Sequence, residues 1–156
     1  MASDRVDDSE DLYRRVLFGA NHYTVDQGRA RLTSQAFADR TARPSVDRAI
    51  LRENDPTRTQ GDARNAVVRL ETHAVRAIAD VVRADKKGQP IERHLVDVVS
   101  VPLPNNDAHA EIVCAPELLN LSKNPGRRLL EALVRLADDK WVVPAYELRG
   151  SPPASA

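Results

Sequence analysis

The chain has 156 residues, 42% of them apolar and 29% charged, with 23 basic side chains balanced by 23 acidic ones. Zero net charge argues against a protein built mainly to coat nucleic acid, where a basic excess supplies affinity. One cysteine, Cys114, excludes an intramolecular disulfide framework and a cysteine-rich zinc site. No run approaches the roughly 20 apolar residues of a membrane-spanning helix, and the opening MASDRVDDSEDLYRR lacks a secretory pattern, so a cytoplasmic location without membrane association is expected. The basic residues are 19 Arg and four Lys. Guanidinium forks suit anion recognition, but the scatter of these arginines also fits the codon bias of a GC-rich genome.

The length suits one domain. Residues 1–10 are acidic and polar and 150–156 are small and proline-rich, so both read as disordered tails around a single domain at 11–149. Leu12–Phe18 fits a helix turn or a short strand. Asn21–Thr33 reads as loop with Gly28 in a turn. Pro44 suits a first helical position and opens a short helix through Leu51, which Asn54-Asp55-Pro56 ends. Residues 55–65 read as a solvated loop, and Ala66–Leu70 as a strand.

Thr72 can cap a helix from His73 whose stripe is Val75, Ile78 and Val82. The alternative stops that helix near Ile78 and starts a hairpin around Lys86–Gln89; the longer helix is slightly favoured. Leu95–Leu103 is β-branched and strand-like, ended by Pro102 and Pro104. A turn at Asn105-Asn106-Asp107 leads to a strand at Ala110–Cys114. The clearest helix covers 125–138, with Asn124 as N-cap, Pro125 at its first position and an apolar face of Leu129, Leu130, Leu133, Val134 and Leu136. Trp141–Val143 makes a terminal strand closed by Pro144. The expected class is α+β: a small mixed sheet, a C-terminal amphipathic helix and a terminal strand.

The sharpest polar cluster is Asp107, His109 and Glu111. In an extended chain these alternate onto one face, where they suit a divalent metal or a tuned imidazole. The same alternation describes the wet face of an edge strand. His73 and Arg76 share a helical face and suit phosphate chemistry, or simply form a polar surface. His22 and His94 sit in polar surroundings and read as solvated. Ser34 and Ser45 lack flanking glycines, so capping and turn roles outweigh nucleophilic ones. Cys114, inside an apolar strand, reads as a buried small hydrophobe. There is no GxGxxG, Walker A, HExxH or CxxC signature, and no cofactor is indicated.

The succession Leu12-Tyr13-Arg14, Ser34-Gln35-Ala36-Phe37, Ser45-Val46-Asp47-Arg48 and Asp107-Ala108-His109-Ala110-Glu111-Ile112 resembles a group of small bacterial proteins with S-x-x-F, S-V-D-R and H-A-x-I steps in this order. The resemblance implies no particular activity, but it marks Ser34, Phe37, Asp47, Arg48 and His109 as a shared site. Leu12-Tyr13-Arg14 also looks like the start of some NAD-consuming toxin domains, whose remaining motifs do not match.

Two readings lead. One is an accessory or interaction protein in a larger bacterial assembly, with a protein partner or a second copy of itself. The other is a compact enzyme acting on a nucleotide or phosphodiester, with His109 and His73 as acid–base groups, Asp47 beside them, and Arg48 or Arg76 holding an anion. A local nucleic-acid contact at Arg127-Arg128, near a helix start, is a weaker third.

Overall fold

The computed structural model describes residues 5–149, in one α+β domain. Its strands are β1 (Asp11–Val16), β2 (Tyr23–Asp26), β3 (Arg29–Leu32), β4 (Ser45–Arg48), β5 (Ala66–Glu71), β6 (Val82–Ala84), β7 (Pro90–Arg93), β8 (Leu95–Ser100), β9 (His109–Ala115) and β10 (Trp141–Val143). Its α-helices are α1 (Thr57–Gln60), α2 (Thr72–Arg76) and α3 (Gly126–Ala137). Six strands form one sheet in the order β10-β5-β1-β4-β9-β8, and β2–β3 and β6–β7 are separate hairpins. Every neighbouring pair in the main sheet is antiparallel, so the sheet is not mixed. No helix among the described residues is long and apolar enough to cross a membrane.

Strand alternation divides the sheet into two faces. Leu12 and Val16 of β1, Val46 of β4, Val68 and Leu70 of β5, and Ala110 and Ile112 of β9 point into the main core. Helix α3 lays Leu129, Leu130, Leu133 and Ala137 on that core, as its amphipathic pattern requires. Its start is tight: a Cβ on Gly126 would lie 2.0 Å from the Asn120 carbonyl oxygen. Asn124 makes no capping bond. The preceding turn is held instead by Asn120 Oδ1, which accepts from the backbone N–H groups of Ser122 and Lys123. On the opposite face Tyr13, Ala49, Val67 and Val143 form a smaller cluster.

Several local expectations change. Ser45–Arg48 is a strand rather than the start of a helix, because β9 pairs with it on one side and β1 on the other; the helical residues reduce to a 3₁₀ turn at Ala49–Arg52. Asn21–Thr33 contains the β2–β3 hairpin, turned by Gln27 and Gly28 with φ of 51° and 76°, the paired positive values of a tight hairpin. The 55–65 segment carries α1 and buries Thr59. The favoured long helix after Thr72 is absent. Asp85 Oδ1 accepts from the Lys87 and Gln89 amides and closes the β6–β7 hairpin, the alternative reading.

The acidic start is not a free tail over its described part. Val6 is 1% exposed, the Glu10 carbonyl accepts from the Thr72 amide, and Glu10 forms a bidentate pair with Arg48. Residues 150–156 and the first four lie outside the described residues. His22 and His94 are buried rather than solvated. Cys114 is buried as expected, and burial pushes its thiol up to about 11.

Candidate functional site

A cleft of about 500 Å³ opens where β1 and β4 part company. These strands pair only at Leu12↔Arg48 and Tyr13↔Asp47, whereas β1 pairs with β5 along six positions. Beyond Tyr13 the backbone groups of Ser45 therefore lack a strand partner on the β1 side, and buried backbone groups need one. Two side chains supply it. Asp39 Oδ2 accepts the Ser45 N–H at 2.7 Å, and Arg14 Nη1 donates to the Ser45 carbonyl at 2.8 Å. Arg14 also grips Asp39 with two bonds of 3.0 and 2.9 Å and donates through Nε to the Ala36 carbonyl. Burial raises the Asp39 pKa, but the Arg14 hydrogen bonds and charge, with the Ser45 amide and hydroxyl, outweigh it and hold the carboxyl below its usual range.

Two histidines reach the cleft. His109 begins β9. Its Nδ1 lies 2.8 Å from the Val101 carbonyl oxygen and its Nε2 lies 3.2 Å from Ser45 Oγ. A carbonyl only accepts, so Nδ1 carries the proton of the neutral ring and the Nε2 lone pair faces the serine hydroxyl. His22 has the reverse tautomer, because its Nδ1 accepts the Leu17 amide at 3.0 Å. Burial, and then the Arg14 charge, lower its pKa and keep it neutral.

Asp47 shares this face but is spoken for. Its Oδ2 accepts from Thr59 Oγ1 at 2.8 Å and Arg52 Nε at 3.2 Å, and its Oδ1 accepts from Asn106 Nδ2 at 2.9 Å. Asn106 Oδ1 in turn accepts from Arg52 Nη2 and the Ala108 amide. This network ties the turn before β9 to β4 and so seats His109. Asp47 is a positioning group here, not a free base.

The charges in the cleft do not cancel. Arg14, Arg15 and Arg40 line it with Asp39 and Asp47. Asp39 is neutralised by Arg14, and Asp47 by Arg52. Among the described residues neither Arg15 nor Arg40 has a carboxylate partner. Arg15 donates through Nε to the Thr59 carbonyl and rests against Gly61, whose Cβ would lie 2.8 Å from Arg15 Cζ. With φ of +74°, Gly61 occupies a conformation that suits glycine.

The other sequence candidates disperse. Arg48 follows Asp47 directly, so alternation sends it to the opposite face, where it is 2% exposed and holds Glu10. His73 is exposed beside Glu71, and Arg76 is committed to Asp8 and Asp97. Asp107 lies in the exposed turn before β9, so the alternation assumed for Asp107, His109 and Glu111 begins only at His109. Glu111 lies 2.9 Å from Arg43 Nε. Among the described residues no three His, Cys, Asp or Glu side chains are grouped to hold a metal ion. Phe37 is buried beneath Arg14, 5.6 Å from its guanidinium, and Ser34 opens the 3₁₀ turn that carries Phe37. Arg127 and Arg128 line a separate recess with Asp80, Asn124 and Glu131.

Sequence reasoning found His109 and Asp47 but missed Arg14, Asp39, His22 and Asn106, and set Ser45 aside. The only local signal for Ser45 was its place two residues before Asp47 on an alternating strand. No family model matches the chain, and no curated protein or solved structure matches it, so the cleft's own chemistry carries the functional reading.

Proposed function

We propose that the protein is a compact enzyme acting on a small phosphate-bearing molecule of the nucleotide or phosphodiester class, with His109 as its proton-transferring group. The observation that carries this reading is the His109 Nε2 lone pair, aimed at Ser45 Oγ inside a cleft with two arginines that have no carboxylate partner among the described residues. A pinned imidazole can take a proton from a hydroxyl and return it. Arg15 and Arg40 supply the positive charge that a phosphate needs, and His22 presents its Nε2–H as a neutral donor. A bacterial cytoplasmic setting belongs to this reading, supported by the arginine-rich composition and the single buried cysteine.

The test is a titration of isotope-labelled protein with inorganic phosphate and with AMP, followed by amide NMR, together with turnover of bis(p-nitrophenyl) phosphate. Binding should shift resonances of β4 and the 38–41 segment. His109→Ala should lower turnover about 100-fold or more, the usual contribution of a positioned acid–base group, while phosphate still binds. Absence of both binding and turnover would refute the reading.

The interaction-protein reading keeps one specific support. Ile91, Leu95 and Leu119 are 53%, 60% and 98% exposed, and Leu95 opens the edge strand β8. Light scattering of the purified chain, alone and with co-purifying proteins, tests it.

A further inference from the structure

We propose that Ser45 is the nucleophile of this cleft and passes through a covalent phosphoserine, an inference that rests on the phosphate reading above. Three observations converge on it. First, both Ser45 backbone groups that face β1 are clamped, the N–H by the Asp39 carboxylate and the carbonyl by the Arg14 guanidinium. A hydroxyl on so fixed a strand needs little reorganisation to attack. Second, the serine is neither buried nor fully exposed and lines the cleft. Third, its Oγ lies 3.2 Å from His109 Nε2, while the other imidazole nitrogen is anchored at 2.8 Å to the Val101 carbonyl. Nucleophile, base and a third group that orients the base are the parts of an activated serine. Here a backbone carbonyl takes over the orienting part of the carboxylate's role in the familiar triads. The Val101 amide also donates to the His109 carbonyl at 3.0 Å, so the orienting group is itself locked to β9.

Ser45 Oγ attacks phosphorus and an Oγ–P bond forms. The hydroxyl proton moves to His109 Nε2, the P–O bond to the leaving group breaks, and the departing oxygen takes the proton from Nε2. Water then attacks the phosphoserine and gives a proton to Nε2. The P–Oγ bond breaks and Ser45 Oγ recovers the proton. Arg15 and Arg40 face the phosphate oxygens throughout. Asp39 is a second acceptor within reach of the Ser45 hydroxyl.

The experiment treats the intact protein with a fluorophosphonate probe, in which a serine displaces fluoride from phosphorus. The probe carries no phosphate charge, so it reports the nucleophile independently of anion binding. The expected result is a single adduct, mapped by peptide mass spectrometry to Ser45. Ser45→Ala should abolish the adduct, and His109→Ala should slow it about 100-fold or more, with thermal melts confirming that both variants fold. The wild-type adduct site needs no variant. A wild-type protein that forms no adduct at Ser45, or forms one only at a rate common to surface serines, overturns the proposal. Failure of labelling while phosphate still shifts β4 resonances removes the nucleophile and leaves the cleft reading intact. Labelling at Ser45 without phosphate binding supports the nucleophile and removes the phosphate class.

Discussion

Replacing Asp39 with alanine tests whether two side chains really close the gap between β1 and β4. The carboxylate accepts three bonds, one from the Ser45 amide at 2.7 Å and two from the Arg14 guanidinium. Arg14 is only 7% exposed, so alanine leaves a buried cation unpaired, a loss of roughly 3–5 kcal/mol when a pair is fully buried. The Asp39 side chain keeps 26% of its exposure, and water can reach the vacated site, which reduces this to about 2–3 kcal/mol. The orphaned Ser45 N–H adds about 1 kcal/mol or more. A total near 3–4 kcal/mol is therefore expected from urea denaturation at pH 7. Asp39→Asn keeps an acceptor for Ser45 but not the charge, and should cost about half as much. The sign of the pH dependence follows from the depressed carboxyl. A group whose folded pKa lies below its unfolded value, about 3.9 for aspartate, stabilises fully above that value and loses its contribution as pH falls through the folded pKa. The gap between wild type and Asp39→Asn should thus be constant from pH 7 to about 5 and shrink below about pH 4. A cost under about 1 kcal/mol at pH 7, or a gap that does not change in acid, would refute the account of the sheet opening.

Two further outcomes follow from the core and from His22. Leu133 is fully buried in the main core under α3, so Leu133→Ala should cost about 2–5 kcal/mol in the same titration; a change below about 0.5 kcal/mol would remove α3 from the core. The His22 pKa is lowered by burial and by Arg14, so the unfolded chain binds the extra proton first. Stability should fall as pH drops below about 6.5 toward the folded pKa, and His22→Gln should flatten that slope in pH-dependent melts; an unchanged slope would show that His22 does not titrate as its burial requires.

The class, the terminal strand and helix α3 could be read from the chain because each is written in local periodicity. Leu129, Leu130 and Leu133 repeat at helical spacing, and Trp141-Val142-Val143 is apolar and bounded by proline. Local pattern failed where two chain segments compete for the same residues. Ser45–Arg48 has a helix-like start after Pro44, yet becomes a strand because β1 and β9, distant in sequence, offer it hydrogen-bond partners. The site depends still more on distance along the chain. Arg14 meets Asp39 across 25 residues, and His109 meets Ser45 across 64. The sequence by itself determined which residue types were present and the local periodicity of helix α3 and the terminal strand. Only the tertiary structure decided that Ser45–Arg48 is extended, that Val101 turns its carbonyl to His109, and that, among the described residues, Arg15 and Arg40 in the cleft have no carboxylate partner. The physical reason is that hydrogen bonds and ion pairs between remote segments leave no periodic trace in the chain that forms them.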